Sequence, residues 1–394
     1  MIPAAAASPR LASPLALLEL SEIAAAPLRY GHAVRVLRDG ALAFPAMLAG
    51  IRAARRSVCF ENFIMADDQT GRNFTAALRK ARERGAAVRV LYDPVGSLLV
   101  KGGPVGRRLR EAGVNARAFR PLSPLAPWSW LRLRHRDHRK LLVCDDLIAF
   151  VGGICISDRW APSDLGGAGW RDTAVSIRGP AVLDLQVAFD RMWSRARGEP
   201  PPTSLSRRPP PEKGEAAVVV VGDRPGLRRV AAIYEWLADR AEQTIELTDA
   251  YFVAPRRVLD ALIRAARRGV RVRLLLPGRN NHPVAGLAAR RIYQPLLDAG
   301  AEIYEWTGVM LHAKTAVVDG LVALVGSSNL DPLSLHRNFE MNALIADPDA
   351  GAAMARLFAA DLEKATRVEA GEWRRRPLRA RAAESAATLF ADLL

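Results

Sequence analysis

Apolar and polar positions along the chain fall into one succession of patterns that occurs twice. Residues 77–85 (Ala-Leu-Arg-Lys-Ala-Arg-Glu-Arg-Gly) keep apolar side chains to one helical face, stop at a glycine and lead into Val88-Arg-Val-Leu-Tyr92. Residues 261–269 (Ala-Leu-Ile-Arg-Ala-Ala-Arg-Arg-Gly) do the same before Val272-Arg-Leu-Leu-Leu276. Each predicts an amphipathic helix, a glycine stop and a buried strand. A further strand is predicted upstream of each, over 57–64 and 244–253. Downstream, Glu111-Ala-Gly113 is matched by Asp298-Ala-Gly300. Strands alternating with helices predict an α/β fold, with one α/β sandwich in each half.

Between the halves, residues 197–215 contain two Pro-Pro-Pro runs (200–202 and 209–211) and little that is apolar, which predicts an extended linker. The predicted organisation is a leader over 1–30, a first lobe over 31–196, the linker, and a second lobe over 216–394 ending in an amphipathic helix over 380–394. The leader mixes Ala, Pro and Leu without an early basic cluster, so it is expected to be loose rather than a secretory signal. No apolar stretch reaches the roughly 18–20 residues of a membrane span. The longest candidate, residues 147–156, reads as a buried strand.

The chemistry is concentrated in a duplicated motif. His138, Lys140 and Asp145 repeat as His312, Lys314 and Asp319, 174 residues later, and Gly152 repeats as Gly326 at the same offset. The chain holds only 6 lysines among 57 basic residues, and only 6 histidines. A lysine kept two places after a histidine, twice, indicates a need for a point-charge ammonium rather than a planar guanidinium. On a strand, residues i and i+2 share a face, so each motif sets an imidazole beside an ammonium. If the lobes pack face to face, two such pairs converge. One histidine then serves as nucleophile and the other as general acid, with the lysines offsetting charge on non-bridging oxygens. Such a site suits a phosphodiester and calls for neither metal nor cofactor.

Glycine turns follow both motifs, Val151-Gly-Gly-Ile-Cys155 and Val325-Gly-Ser-Ser-Asn329, where Ser327 and Asn329 can donate to phosphate oxygens. Asp172 and Glu340 are candidates to orient the imidazoles through their second nitrogens.

At these residues the chain resembles the phospholipase D superfamily, whose hallmark is HxKxxxxD followed by a GGxN or GSxN turn. The resemblance runs from about residue 30 onward. It is strongest to bacterial cardiolipin synthases, through Phe60-Glu-Asn-Phe63, Asp137-His-Arg-Lys140, Trp170-Arg-Asp-Thr173, residues 326–334 and Asn338-Phe-Glu-Met-Asn342. It implies the phospholipase D fold, two α/β/α sandwich lobes around one pseudo-twofold active site. It also implies transfer of a phosphatidyl group from phosphatidylglycerol through a phosphatidyl-histidine, giving cardiolipin and glycerol. His138 is then the nucleophile, His312 the acid and then the base, and Asp145 and Asp319 are structural. Two positions depart from the pattern: Cys155 replaces the usual Asn, and Asp146 the usual Gly.

The formal net charge of +16 implies attraction to polyanions, either nucleic acid or an anionic membrane. The first lobe carries 13 extra residues between Gly113 and His138, apolar, bearing Trp128 and Trp130 and followed by Arg132 and Arg134. Such a segment suits a membrane interface and speaks against a nucleic-acid groove. A peripheral enzyme on the cytoplasmic side of a bacterial membrane is the expectation. The rival readings are a phospholipase D that hydrolyses lipid to phosphatidic acid, a nuclease, and an inactive lipid-binding protein. Arg374-Arg-Arg376 reads as a solvated face or a contact with phosphate. Cys59, Cys144 and Cys155 lack disulfide or zinc spacing and read as core residues. His32, His135, His282 and His336 read as surface or loop histidines, His135 having a further claim as a phosphate contact.

Overall fold

The computed structural model describes residues 10–98, 105–122, 135–197 and 208–389. The first lobe contributes β1 (Leu28–Arg38), β2 (Ser57–Asn62), β3 (Ala87–Tyr92), β4 (Asn115–Ala118), β5 (Lys140–Cys144), β6 (Ile148–Gly152) and β7 (Thr173–Arg178). The second contributes β8 (Ala216–Asp223), β9 (Thr244–Thr248), β10 (Arg271–Pro277), β11 (Glu302–Trp306), β12 (Thr315–Val318), β13 (Val322–Gly326), β14 (Glu340–Ala346) and β15 (Ala365–Arg367). Together they form one sheet in the order β15-β11-β10-β9-β12-β13-β14-β8-β1-β7-β6-β5-β2-β3-β4. Read outward from the antiparallel β1–β8 pair, each first-lobe strand has its counterpart seven strands later in the second lobe. The duplication in sequence is therefore a pseudo-twofold in space, and the fold is the predicted α/β arrangement of two similar lobes.

Period-two alternation divides the motif strands between cores. Leu142 and Cys144 of β5 face the helices Asp39–Ala53 and Gln69–Glu83, with Phe44, Met47, Phe74 and Leu78. Leu141 and Val143 face the other way, into a layer shared with Val317 of β12, Val325 of β13 and Met341 of β14. On the second lobe, Ala316 and Val318 turn outward to the helices Arg229–Arg240 and Arg256–Arg267. The lobes thus pack through one apolar layer, which holds their motifs in fixed relation.

The predicted helices and the strands over 88–92 and 272–276 lie within these elements. The strands expected over 57–64 and 244–253 end early, at Asn62 and Thr248. Asn62 Oδ1 accepts from the Ile64 N–H (3.2 Å), and Asp249 Oδ1 from the Tyr251 N–H (2.9 Å). These side chains close local turns in place of further ladder bonds.

The loose leader expected before residue 30 is instead, in its described part, a helix over Pro14–Ala24. Ser13 caps it by accepting from Ala16 N–H (3.2 Å), and Leu17, Leu20 and Ala24 pack into the second lobe's core. Glu19 accepts from Trp236 Nε1 at 2.9 Å. The Ala- and Pro-rich composition masked a helical i, i+3, i+7 spacing. The tryptophan-bearing segment (123–134) and residues 198–207 of the linker lie outside the described residues. Among the described residues no helix is long and apolar enough to cross a membrane.

His32 is a second correction. It is buried at the seam between the lobes, with Nδ1 2.8 Å from Ala216 O and Nε2 accepting from Ala181 N–H at 2.8 Å. A lone histidine carries no pattern that distinguishes such a seam from a loop.

Candidate active site

The strand ends bring the two motifs together. His138 N–H donates to Phe339 O (3.0 Å), which sets the next residue, Glu340, beside the imidazole. Symmetrically, His312 N–H donates to Arg171 O (2.7 Å), which sets Asp172 beside the second imidazole. His138 Nδ1 lies 3.0 and 3.1 Å from the carboxylate oxygens of Glu340, and His312 Nδ1 lies 2.7 Å from Asp172 Oδ2. Each imidazole is thus held by an acid from the opposite lobe. A carboxylate only accepts, so Nδ1 carries the proton and Nε2 keeps a free lone pair. Lys314 Nζ also lies 3.0 Å from His312 Nδ1, where two donors would meet. We assign its hydrogen bond to the His312 carbonyl, which it also reaches. Lys140 donates likewise to the His138 carbonyl (2.5 Å).

The two acids differ in their further partners. Glu340 accepts from Ser327 Oγ at 2.5 Å. Asp172 instead accepts from Trp160 Nε1 (2.8 Å) and Thr173 N–H (2.7 Å). Gly153, at Ser327's position in the first lobe, is required there: a Cβ would come within 2.2 Å of Asp172 Oδ1. Burial pushes Glu340 up to about 7 against the pull of Lys140 and Ser327. Burial acts on Asp172 in the same direction, but His312 and Lys314 hold it below its ordinary value, so it stays ionised. Burial and Lys314 bring His312 down to about 3, and burial with both lysines puts His138 well below its ordinary value. Both imidazoles are neutral in the free protein. A bound phosphate anion would raise them, as opposite charge does.

Above the histidines lies a cavity of about 680 Å³, within the range of small-molecule sites. His138 and His312 both line it, with Phe63, Ile64, Val95, Trp160, Trp170, Tyr251 and Val253 forming an apolar wall and Asn329, Asp331, Ser334 and Asn338 a polar one. Phe63 meets the His138 ring edge-on at 4.8 Å, and Trp160 meets His312 at 5.2 Å. Asn329 Nδ2 donates to Ser334 Oγ (3.4 Å), while its buried Oδ1 has no partner. Cys155 is buried in the opposing wall, and burial pushes its thiol up, so it offers only a weak S–H donor.

Of the ten residues singled out in the sequence, eight gather here: His138, Lys140, Asp172, His312, Lys314, Ser327, Asn329 and Glu340. Asp145 and Asp319 do not. Asp145 sits in a left-handed turn beyond the far end of β5 and accepts from the backbone N–H groups of Arg55, Arg56 and Ser57 (2.7–2.8 Å). Asp319 does the same for Glu242, Gln243 and Thr244 (2.8–3.0 Å). They tie β2 and β9 to the motif strands. His135 is turned to Arg337 O (2.9 Å). Trp160 and Tyr251 carry no pattern in the sequence that marks them as site residues, and Phe63 and Asp331 lie in stretches that carry the family resemblance without a role of their own. Trp160 was reachable, because the 174-residue offset places it at the position of Ser334.

A family model described as cardiolipin synthase, PLD-like domain, matches residues 236–362. The chain is 33% identical over 372 residues to a cardiolipin synthase of Geobacillus kaustophilus, covering 93% of this chain and 74% of that protein. It is 31% identical over 360 residues to cardiolipin synthase A of Pseudomonas syringae pv. syringae, covering 91% and 74%. Among solved structures, phosphatidylserine synthase of Haemophilus influenzae shares the fold, with a TM-score of 0.71 at 13% identity over 96% of this chain and 100% of that one.

Proposed function

This chain belongs to the cardiolipin synthase family of the phospholipase D superfamily and is a phosphatidyltransferase, and from that premise we propose how its residues divide the work. The substrate is phosphatidylglycerol. His138 Nε2 attacks its phosphorus, the new N–P bond forms, and the P–O bond to glycerol breaks. His312, which takes up a proton from solvent when the anionic phosphate binds, gives that proton to the departing glycerol oxygen. Neutral His312 then takes the proton from a hydroxyl of a second phosphatidylglycerol. That oxygen bonds to phosphorus as the N–P bond breaks, which yields cardiolipin and restores both histidines. The ionised state of Asp172 supports this order, since the imidazole that carries the extra proton gains most from a permanent negative charge at 2.7 Å. Lys140, Lys314 and Asn329 offset charge on the non-bridging oxygens.

The observation that carries this reading is the reciprocal pairing, in which each lobe supplies the acid for the other lobe's histidine over one cavity. The apolar wall favours a lipid alcohol over water as acceptor, so hydrolysis to phosphatidic acid is not the favoured outcome. We also propose that the enzyme docks peripherally on the cytoplasmic face of the membrane, and that its lobes divide at 31–196 and 216–394. Incubating the protein with labelled phosphatidylglycerol vesicles and separating the lipids tests the function. Cardiolipin with released glycerol is expected; phosphatidic acid as the main product would refute transfer.

A further inference from the structure

The active site leaves a second cavity unused. It has a volume of about 560 Å³ and lies between the helix Pro283–Arg291 and the C-terminal helices Ala370–Arg374 and Leu378–Thr388. Its C-terminal lining falls outside residues 236–362, the part matched by the family model. Four arginines line it: Arg291, Arg374, Arg376 and Arg381. Two are neutralised. Arg376 pairs with buried Glu384 and stacks on Trp373 at 3.4 Å, and Arg374 pairs with Asp298 (2.5 Å). Among the described residues the other two have no acidic partner. Arg291 donates there to the uncharged Ser385 hydroxyl (2.9 Å), and Arg381 is exposed.

The helix beside this cleft turns a largely apolar stripe along the cleft's open side. Leu378, Ala382, Ser385 and Leu389 recur at i, i+4, i+7 and i+11, which places them on one stripe. Leu378 is 78% exposed and Leu389 is 81% exposed. Arg381 flanks the stripe. Apolar side chains in water beside uncompensated guanidiniums fit the boundary between acyl chains and anionic headgroups.

The position is suitable too. Ala285, near the start of the helix Pro283–Arg291, lines the catalytic cavity, while Arg291 at its end lines the arginine cleft. The rise of about 1.5 Å per residue from Ala285 to Arg291 separates the two by only about 9 Å. We propose that the C-terminal helix and this arginine cleft form a membrane-docking surface, which takes the phosphate of an anionic phospholipid headgroup between Arg291 and Arg381 and holds the catalytic cavity at the bilayer. The proposal rests on the lipid-transfer reading for its purpose, but docking is measured without turnover.

The test is co-sedimentation of the whole protein with vesicles of phosphatidylcholine containing phosphatidylglycerol. Arg291→Gln/Arg381→Gln removes two charges worth about 1 kcal/mol each at an anionic surface, so binding is expected to weaken by about 30-fold. Leu378→Ser/Leu389→Ser is expected to weaken it through lost insertion. A charge-matched control on the first lobe, Arg79→Gln/Lys80→Gln, is expected to change binding less than threefold. Both variant pairs should keep wild-type turnover of a short-chain, soluble phosphatidylglycerol, which separates a failure of docking from a failure of the catalytic reading. Unchanged vesicle binding by the arginine pair would overturn the proposal. So would an equal loss in the control, or equal binding to pure phosphatidylcholine.

Discussion

Glu340→Gln probes the site at its most informative point. The substitution keeps the shape of a fully buried side chain and removes its charge. His138 Nδ1 lies about 3 Å from both Glu340 oxygens, and attack on phosphorus leaves the ring of His138 positively charged. With the centres of charge about 4 Å apart and an effective dielectric of about 20, the lost attraction is about 4 kcal/mol. That is about three orders of magnitude in rate. Gln can still accept one hydrogen bond, so we expect kcat to fall by about 10²- to 10³-fold. The melting temperature should stay close to wild type, because Ser327 can donate to the amide oxygen. The pH profile supplies an independent check. Glu340 is raised to about 7 by burial, so it takes up a proton as pH falls through that value and stops accepting from Nδ1–H. Wild-type turnover should therefore decline on the acid side of about pH 7, and the Gln variant should lack that limb. Initial rates on phosphatidylglycerol vesicles from pH 5.5 to 8.5 would measure both effects. A folded variant within fivefold of wild-type kcat, or one that kept the acid limb, would refute the reasoning.

Asp145→Ala removes the acceptor for three backbone N–H groups at a partly exposed turn, so stability should fall by about 1–2 kcal/mol while kcat per folded molecule is retained. Thermal melts paired with active-site titration would check it, and a loss of kcat at full folding would contradict a structural role. Cys155→Asn places an amide opposite Asn329, where a thiol is a poor donor. Turnover is expected to hold or rise, and a folded but inactive variant would show that the thiol has its own task. Trp128→Ser/Trp130→Ser should weaken sedimentation with phosphatidylglycerol vesicles, more so in raised salt, while a short-chain soluble substrate is still processed. Unchanged binding would mean that this segment does not face lipid.

Much of the site was legible before the fold was known, because the duplication carries its own register. An offset of 174 residues relates His138 to His312 and Gly153 to Ser327, and Asp172 in Trp170-Arg-Asp-Thr173 and Glu340 in Asn338-Phe-Glu-Met-Asn342 were the candidate orienting acids. Which acid serves which histidine was not legible. That pairing depends on short bridges between Asp137 and Phe339 and between Arg171 and Leu311, which form only when the lobes pack. Trp160 was missed because an indole between Arg159 and Ala161 carries no catalytic pattern of its own, and its N–H matters only once Asp172 is beside it. His32 and the helix Pro14–Ala24 were misread for a related reason. Both are defined by contacts about 150 or more residues away, His32 with Ala181 and Ala216 and the helix with the second lobe's core, which no local pattern encodes.

The central claim is that two copies of one motif divide a single covalent displacement, with His138 as nucleophile and His312 as proton carrier. The most direct measurement is mass mapping of His312→Ala and His138→Ala over a time course of exposure to labelled phosphatidylglycerol, with an acid-free quench. The account predicts a phosphatidyl adduct that forms slowly on His138 in His312→Ala and persists, because the leaving glycerol has lost its acid and the second alcohol its base, and no adduct in His138→Ala. An adduct on His312 in the His138→Ala variant, or steady turnover by either variant, would contradict it.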